Sequence, residues 1–311
     1  MATTAHPATS VLPIVTADEW SVAPEVPRLV RWGRLARQNP LGVVALVIVV
    51  TFCFIGIFGT WLTPYDPTHI TSEAQNQGPS REHLFGTNQF GEDMFSRILA
   101  GARISFLIGL MGVTIGFGTG AFLGIVSGYY QRWLDYVIQR SAEAWAAFPV
   151  LILYLAFIAA IGQGLRTIAI VIVISAIFGG SRVLRVAALV TKHADYVDAA
   201  RSLGAGDWWI LRRHIIPNVM PLIIVGASSV FAVSVLAEAA LSFLGLGVNA
   251  STPSWGIDMS DTHTPNLRYA AQYPHLVIFP GMAISLVVLG FNLLGDTLRD
   301  ILDPRLRGTL R

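Results

Sequence analysis

Charge is what this sequence has least of. Only 13% of its 311 residues are Asp, Glu, Lys or Arg, while 53% are hydrophobic and the mean hydropathy is +0.59. Soluble domains carry about 25% charge, so the deficit indicates an integral membrane protein. Cysteine is nearly absent too. The single Cys53 lies inside an apolar run, which excludes an intrachain disulfide and any cysteine-based metal site. A net charge of +2 leaves no electrostatic footprint for nucleic acid. Lysine occurs once, as Lys192 in Val190-Thr191-Lys192-His193, with no glycine-rich loop before it. A phosphate-binding loop needs Gly-x4-Gly-Lys followed by Ser or Thr. The chain has no recognisable loop of that kind, so any ATP-driven work requires hydrolysis on another subunit. HExxH, CxxC and paired-histidine spacings are also missing, and no catalytic or metal-ligating residue is expected.

What is present is a series of six apolar segments: Leu41–Leu62, Ile104–Tyr130, Ala144–Leu165, Thr167–Ser181 with a continuation through Val183–Val190, a run from near Pro217 to about Leu246, and His275–Gly295. A helix needs about 20 apolar residues to cross the hydrocarbon core, and unpaired backbone groups cannot be solvated there. The expected fold is therefore an all-α integral membrane protein with six transmembrane helices over residues 41–295. Placing the N-terminus in the cytoplasm puts 16 of the 21 basic residues inside and 5 outside, the bias expected of inner loops. Both termini and the loop 191–217 are then cytoplasmic.

The flanking regions carry no such pattern. Residues 1–27, rich in Ala, Thr, Pro and Val, read as a disordered cytoplasmic tail rather than a secretory signal, since no basic residue opens them and Asp18 and Glu19 intervene. A basic segment, 28–40, precedes the first span, and 296–311 read as a C-terminal cytoplasmic tail. Of the two long outer loops, Thr63–Arg103, with Pro64, Pro67, Gly78-Pro79 and several charges, is long enough to form a small extracytoplasmic cap, and the Trp, Pro and Gly of Gly247–Pro274 suggest an ordered, interfacial element. Asn249-Ala250-Ser251 matches a short glycosylation sequon.

Two features stand out inside the apolar segments. Gly112, Gly116, Gly120, Gly124 and Gly128 recur every four residues, a spacing that keeps small residues on one helix flank and lets two backbones approach closely in lipid. Packing within the chain is the first reading; a dimer contact or a pore-lining face is the alternative. Glu238 is the best intramembrane acid, a residue type costing about 2.5–3.5 kcal/mol at the bilayer centre. It reads first as a packing or helix-end carboxylate and second as part of the translocation path or outer gate. His275 reads as an interfacial residue.

The polar interruption before the fifth segment is the strongest functional signal. Good helix formers run from Ala187 to about Leu203, Ala199 and Ala200 present almost no side chain to a partner, and Gly204 can end the helix with a left-handed backbone. Asp207 suits an N-cap before Trp208-Trp209-Ile210-Leu211, and Pro217 a helix start. On spacing alone, a coupling element and a plain amphipathic connector are equally compatible.

Asp198-Ala199-Ala200, three residues, Gly204, nine residues and His214-Ile215-Ile216-Pro217 resemble the EAA loop of ABC importer permeases, with Asp for the usual Glu and His214 for the first Ile. Phe85–Asp93, Gly101-Ala102-Arg103-Ile104-Ser105, Tyr196–Pro221, Glu238–Gly247, Pro253-Ser254-Trp255-Gly256 and Phe291–Arg305 together resemble the second permease subunit of dipeptide and oligopeptide importers. That resemblance implies a type I ABC importer permease fold in the bacterial cytoplasmic (inner) membrane. It implies a paralogous permease, ABC ATPase subunits or domains, an extracytoplasmic substrate-binding protein and a peptide substrate as partners. ATP and Mg²⁺ would be bound by the ATPases, with no cofactor on this chain. The implied coupling residues are Asp198, Ala199, Ala200, Ser202, Leu203, Gly204 and Ala205. Related systems carry nickel chelates, glutathione or haem instead; a secondary transporter or channel is the other class of reading.

Overall fold

A computed structural model describes residues 39–302 apart from 248 and 250. The expected tail 1–27, nearly all of the basic segment 28–40, and residues 303–311 of the expected C-terminal tail lie outside the described residues, as does part of the sequon.

Lipid demands that every backbone group be bonded within its own segment, and the chain answers with helices. They are α1 (Pro40–Leu62), α2 (Met94–Tyr130), α3 (Arg132–Ala146), α4 (Val150–Ile161), α5 (Leu165–Lys192), α6 (Asp195–Ser202), α7 (Asp207–Phe243), α8 (Trp255–Asp258) and α9 (His275–Leu302). Helices α1, α2, α5, α7 and α9 are long and apolar enough to cross a membrane. The pair α3 and α4, bent by 92°, supplies a sixth crossing only if the two count as one broken span. The straight helix expected over Ala144–Leu165 therefore divides at Pro149, which has no N–H to donate and disfavours helix at the residue before it. The 12 residues of α4 reach about 18 Å, short of the roughly 30 Å core.

Other boundaries move outward. Helix α2 begins at Met94, ten positions before the apolar run, because Asp93 caps it by accepting from the Ser96 N–H at 2.8 Å. Helix α7 begins at Asp207 and passes Pro217 through a π turn at Leu211–Ile215. Helix α9 continues beyond Gly295 to Leu302. The long helix expected over Ala187–Leu203 breaks at His193 and Ala194.

The glycine row of α2 lies against α5 and α7. A Cβ built on Gly116 would sit 2.6 Å from Ala176 Cβ; on Gly124 and Gly128 it would sit 2.5 Å from the carbonyl oxygens of Ser181 and Arg185. Gly120 is closer still to the Ile177 carbonyl oxygen, and Gly112 to the Ser234 hydroxyl. Backbone thus meets backbone along much of α2 and α5. A second core joins α1, α2, α7 and α9 through aromatic rings. Phe231 and Phe291 stack at 4.0 Å, and Phe52 meets both edge-on at 6.0 and 6.2 Å.

At the end of the bundle that carries the two long loops, Arg97 is fully buried. Its Nε donates to Asp258 Oδ1 at 2.8 Å, Nη2 forms an ion pair with the same oxygen at 2.7 Å, and Nη1 lies 3.0 Å from Glu92 Oε1. Glu92 also meets His263 Nε2 at 2.9 Å and accepts from the Asn88 amide at 2.5 Å. The Trp255 indole donates to the Ile98 carbonyl at 2.9 Å. These contacts fasten the two long loops to α2 and to each other. Burial pushes the Glu92 carboxyl up, but the His263 hydrogen bond, the Arg97 charge and the Asn88 amide together hold it below its ordinary 4.5. At Asp258 burial outweighs Arg97, and the carboxyl is raised above its ordinary 3.8.

Four outcomes are expected. Gly120→Leu should lower thermal stability in detergent by about 1–3 kcal/mol or more, through overpacking against the Ile177 backbone. Gly118→Leu, whose nearest neighbour is 3.7 Å away, should stay within about 0.5 kcal/mol of the parent. Arg97→Gln strands two buried carboxylates and should cost about 3–5 kcal/mol by the same melting assay. Glu92 has the lower pKa in the folded state, so its stabilisation is complete above about pH 4.5 and is lost as pH falls through the folded value. Asp258 has the opposite sign and weakens the fold as pH rises past its ordinary value. The parent should therefore lose stability more steeply on acidification than Glu92→Gln; parallel acid-melting curves would contradict this assignment.

Candidate functional site

The connector between α5 and α7 is built from one short helix, a glycine turn and the first turns of α7. Helix α6 ends as the sequence demands. Gly204 has φ +86°, its N–H donates to the Arg201 carbonyl at 3.0 Å, and the Ala205 N–H donates to the Ala200 carbonyl at 3.1 Å. This pair of bonds is a Schellman motif, which needs a left-handed residue at the position Gly204 holds. Nothing lies within 4 Å of a Cβ placed there, so backbone conformation rather than crowding calls for glycine.

One side of the connector is anchored. Val197, Ile210, Leu211 and Ile215 are buried in a cluster with Ile125 and Tyr129 of α2 and Leu184 and Ala188 of α5; Ala205 packs against it. The other side is bare. Asp198, Ala199, Ser202, Leu203 and Gly204 are exposed, and Ala200 is half-buried. Leu203 is 89% and Trp208 69% exposed. Asp198 pairs with Arg201 at 2.8 Å along the helix surface, and the Ser202 hydroxyl donates to the Asp198 carbonyl at 3.0 Å. The structure thus brings Asp198 through Ala205 together on one protruding unit, with apolar surface left uncovered.

Asp207 does something other than cap. Gly206 occupies the N-cap position, and Asp207 accepts from the Tyr129 hydroxyl at 2.7 Å, tying α7 to the end of α2. Lys192 strengthens the same junction by donating to the Tyr129 carbonyl at 2.7 Å. Arg185 makes two bonds to Asp135, at 2.5 and 2.6 Å, which hold α3 against α5. Sequence reading passed over Tyr129 and Asp135; a tyrosine pair at the end of a long apolar run and an acid in the next helix were the available signals.

Glu238 lies at the opposite end of α7 and is fully buried. Its carboxylate accepts from Ser105 of α2 at 2.9 Å, Ser242 at 2.8 Å and Ser254, just before α8, at 2.9 Å. It joins two helices and the loop before α8. His275 is buried beside the Thr87 carbonyl, at 3.4 Å. The connector offers no nucleophile with an adjacent base; what it offers is exposed apolar surface on a unit anchored along its other side.

Comparison with known proteins identifies the family. Residues 120–308, more than half of the chain, match the family described as binding-protein-dependent transport system inner membrane component. Residues 31–79 match the N-terminal TM domain of oligopeptide transport permease C. The glutathione transport system permease protein GsiD of Pectobacterium atrosepticum is 39% identical over 277 residues, covering 89% of this chain and 90% of the relative. The protein of the same name from Escherichia coli O6:K15:H31 is 38% identical over 278 residues, with the same coverage. The dipeptide transport system permease protein DppC of Alkalihalophilus pseudofirmus is 41% identical over 273 residues, 87% of this chain and 88% of the relative. With its helical spans and its connector, the chain belongs to the binding-protein-dependent inner membrane permeases, the type I ABC importer family that includes oligopeptide permease C.

Proposed function

We propose that this permease imports small peptides as half of a pore completed by a paralogous permease, with ATP and Mg²⁺ bound on separate ABC ATPase subunits. The supporting observation is the connector: an apolar, exposed unit, α6 with the start of α7, locked on its inner side and stopped by a Schellman turn at Gly204. A groove on an ATPase would receive it, with the connector and both termini in the cytoplasm, a reading the arginine distribution supports. ATP would draw the ATPases together, the connectors would follow, and the spans would alternate between inward-open and outward-open states. An extracytoplasmic binding protein would deliver cargo to the loop end. Similar identity to relatives named for glutathione and for dipeptides supports a short peptide as substrate class.

Leu203→Asp tests the coupling role without touching the core, because the side chain is exposed. Loss of a central apolar anchor at an interface costs about 2 kcal/mol or more, so ATPase co-purification should weaken roughly thirtyfold, and ATP-dependent uptake into vesicles should fall with it. Ala200→Glu should act in the same direction. Normal uptake of a labelled di- and tripeptide panel by either variant would overturn the docking assignment. Uptake by the parent of a nickel chelate or haem, and of no peptide, would overturn the cargo.

A further inference from the structure

A cavity of about 780 Å³ opens beside the connector, between the end of α2, the start of α3 and the end of α5. Its lining includes Arg132, Lys192 and Arg201 but only one acid, Asp207, and that carboxylate already accepts from the Tyr129 hydroxyl at 2.7 Å. Lys192 spends one of its three N–H groups on the Tyr129 carbonyl and holds its ammonium 5.5 Å over the Tyr129 ring. Arg201 engages Asp198 through one nitrogen. Arg132 makes no ion pair among the described residues. Positive charge in the cavity therefore exceeds what the surrounding side chains neutralise. The backbone adds to it. Gln131 and Arg132 have φ of +57° and +59°, and the N-cap residue Gln131 with residues 132–134, which open the 15-residue α3, contributes to the lining. The first N–H groups of a helix have no partner within it.

We propose that this cavity binds a phosphate-bearing anion, either the headgroup of an anionic phospholipid or a soluble phosphate. Arg132, Lys192 and Arg201 supply the charge that selects it. The site sits where two spans end, and α3 exposes Trp133, Tyr136 and Val137 beside it, side chains suited to the membrane–water boundary. An anion held there would bridge α3, α5 and α6, and so would stiffen the base of the connector.

The experiment uses the purified transporter with whatever subunits accompany this chain. One arm measures retention of phosphatidylglycerol against phosphatidylcholine by native mass spectrometry. The other measures the melting shift produced by inorganic phosphate against chloride at equal ionic strength. Arg132→Gln leaves every described packing contact in place, and Lys192→Gln removes a second cation. Each cation lost should weaken binding about fivefold. Arg140→Gln, exposed further along α3 where it pairs with Glu143 and lies over the Tyr136 ring, is outside the cavity lining and should leave anion binding unchanged. Selective phosphatidylglycerol retention that falls with Arg132→Gln identifies a lipid; a phosphate-specific melting shift that falls with it identifies a soluble ligand. The proposal is overturned if neither ligand is preferred, or if Arg132→Gln behaves like Arg140→Gln.

Discussion

Close contact between the backbones of α2 and α5 fixes the position of everything at the connector end. Carbonyls of Ile177, Ser181 and Arg185 fill the space that side chains at Gly120, Gly124 and Gly128 would take. In lipid no hydrophobic force drives helices together, so such packing is what association rests on. With the two axes locked, Tyr129 at the end of α2 falls within reach of Lys192 and Asp207, and Arg185 within reach of Asp135. The cluster that anchors Val197 and Ile210 is lined from the same two helices. A side chain anywhere in the glycine row would shift the base on which the connector stands.

Helix α7 carries that position to the other end. At 1.5 Å per residue its 37 residues span about 55 Å. Asp207 fastens its first turn to α2, and Glu238 fastens its last turns to α2 again and to the loop before α8. A carboxylate with three hydroxyl donors is a costly way to pack a helix unless its orientation must be definite. The π turn at Leu211–Ile215 is the one departure from α geometry along α7, and it lies between the anchored connector and the spanning portion. Such turns recur at functional positions, and this one accommodates Pro217 without interrupting the helix.

Much of this was legible in the sequence. The apolar runs located α1, α5 and α9 because lipid leaves little freedom in segments of that length. The glycine spacing announced a close helix contact, and Gly204 announced a left-handed helix end. What escaped has physical reasons. Arg97 and Arg103 hid the first turns of α2, since a charge normally ends an apolar run, and here Arg97 is neutralised by Asp258, 161 residues away. Glu92 finds His263 across 171 residues. Neither pairing leaves a local trace. Pro149 was visible, but a long apolar run on both sides outweighed it, and the 92° bend followed.

The same distinction separates the two ends of the molecule. At the connector end, the features that matter are local: a helix stop, a row of small residues, an exposed leucine. Their spacing in sequence is their spacing in space, so a pattern suffices to find them. At the loop end, order depends on side chains that meet only after the helices have assembled, and Arg97 can be buried only once both loops have closed over it. The cap formed in this way depends on long-range pairs throughout, whereas at the connector the helix stop at Gly204 is local and only its anchoring needs α2 and α5. Motion imposed at the connector would therefore reach the cap through α7, and the buried polar groups around Arg97 and Glu238 would have to move as units or break at high cost.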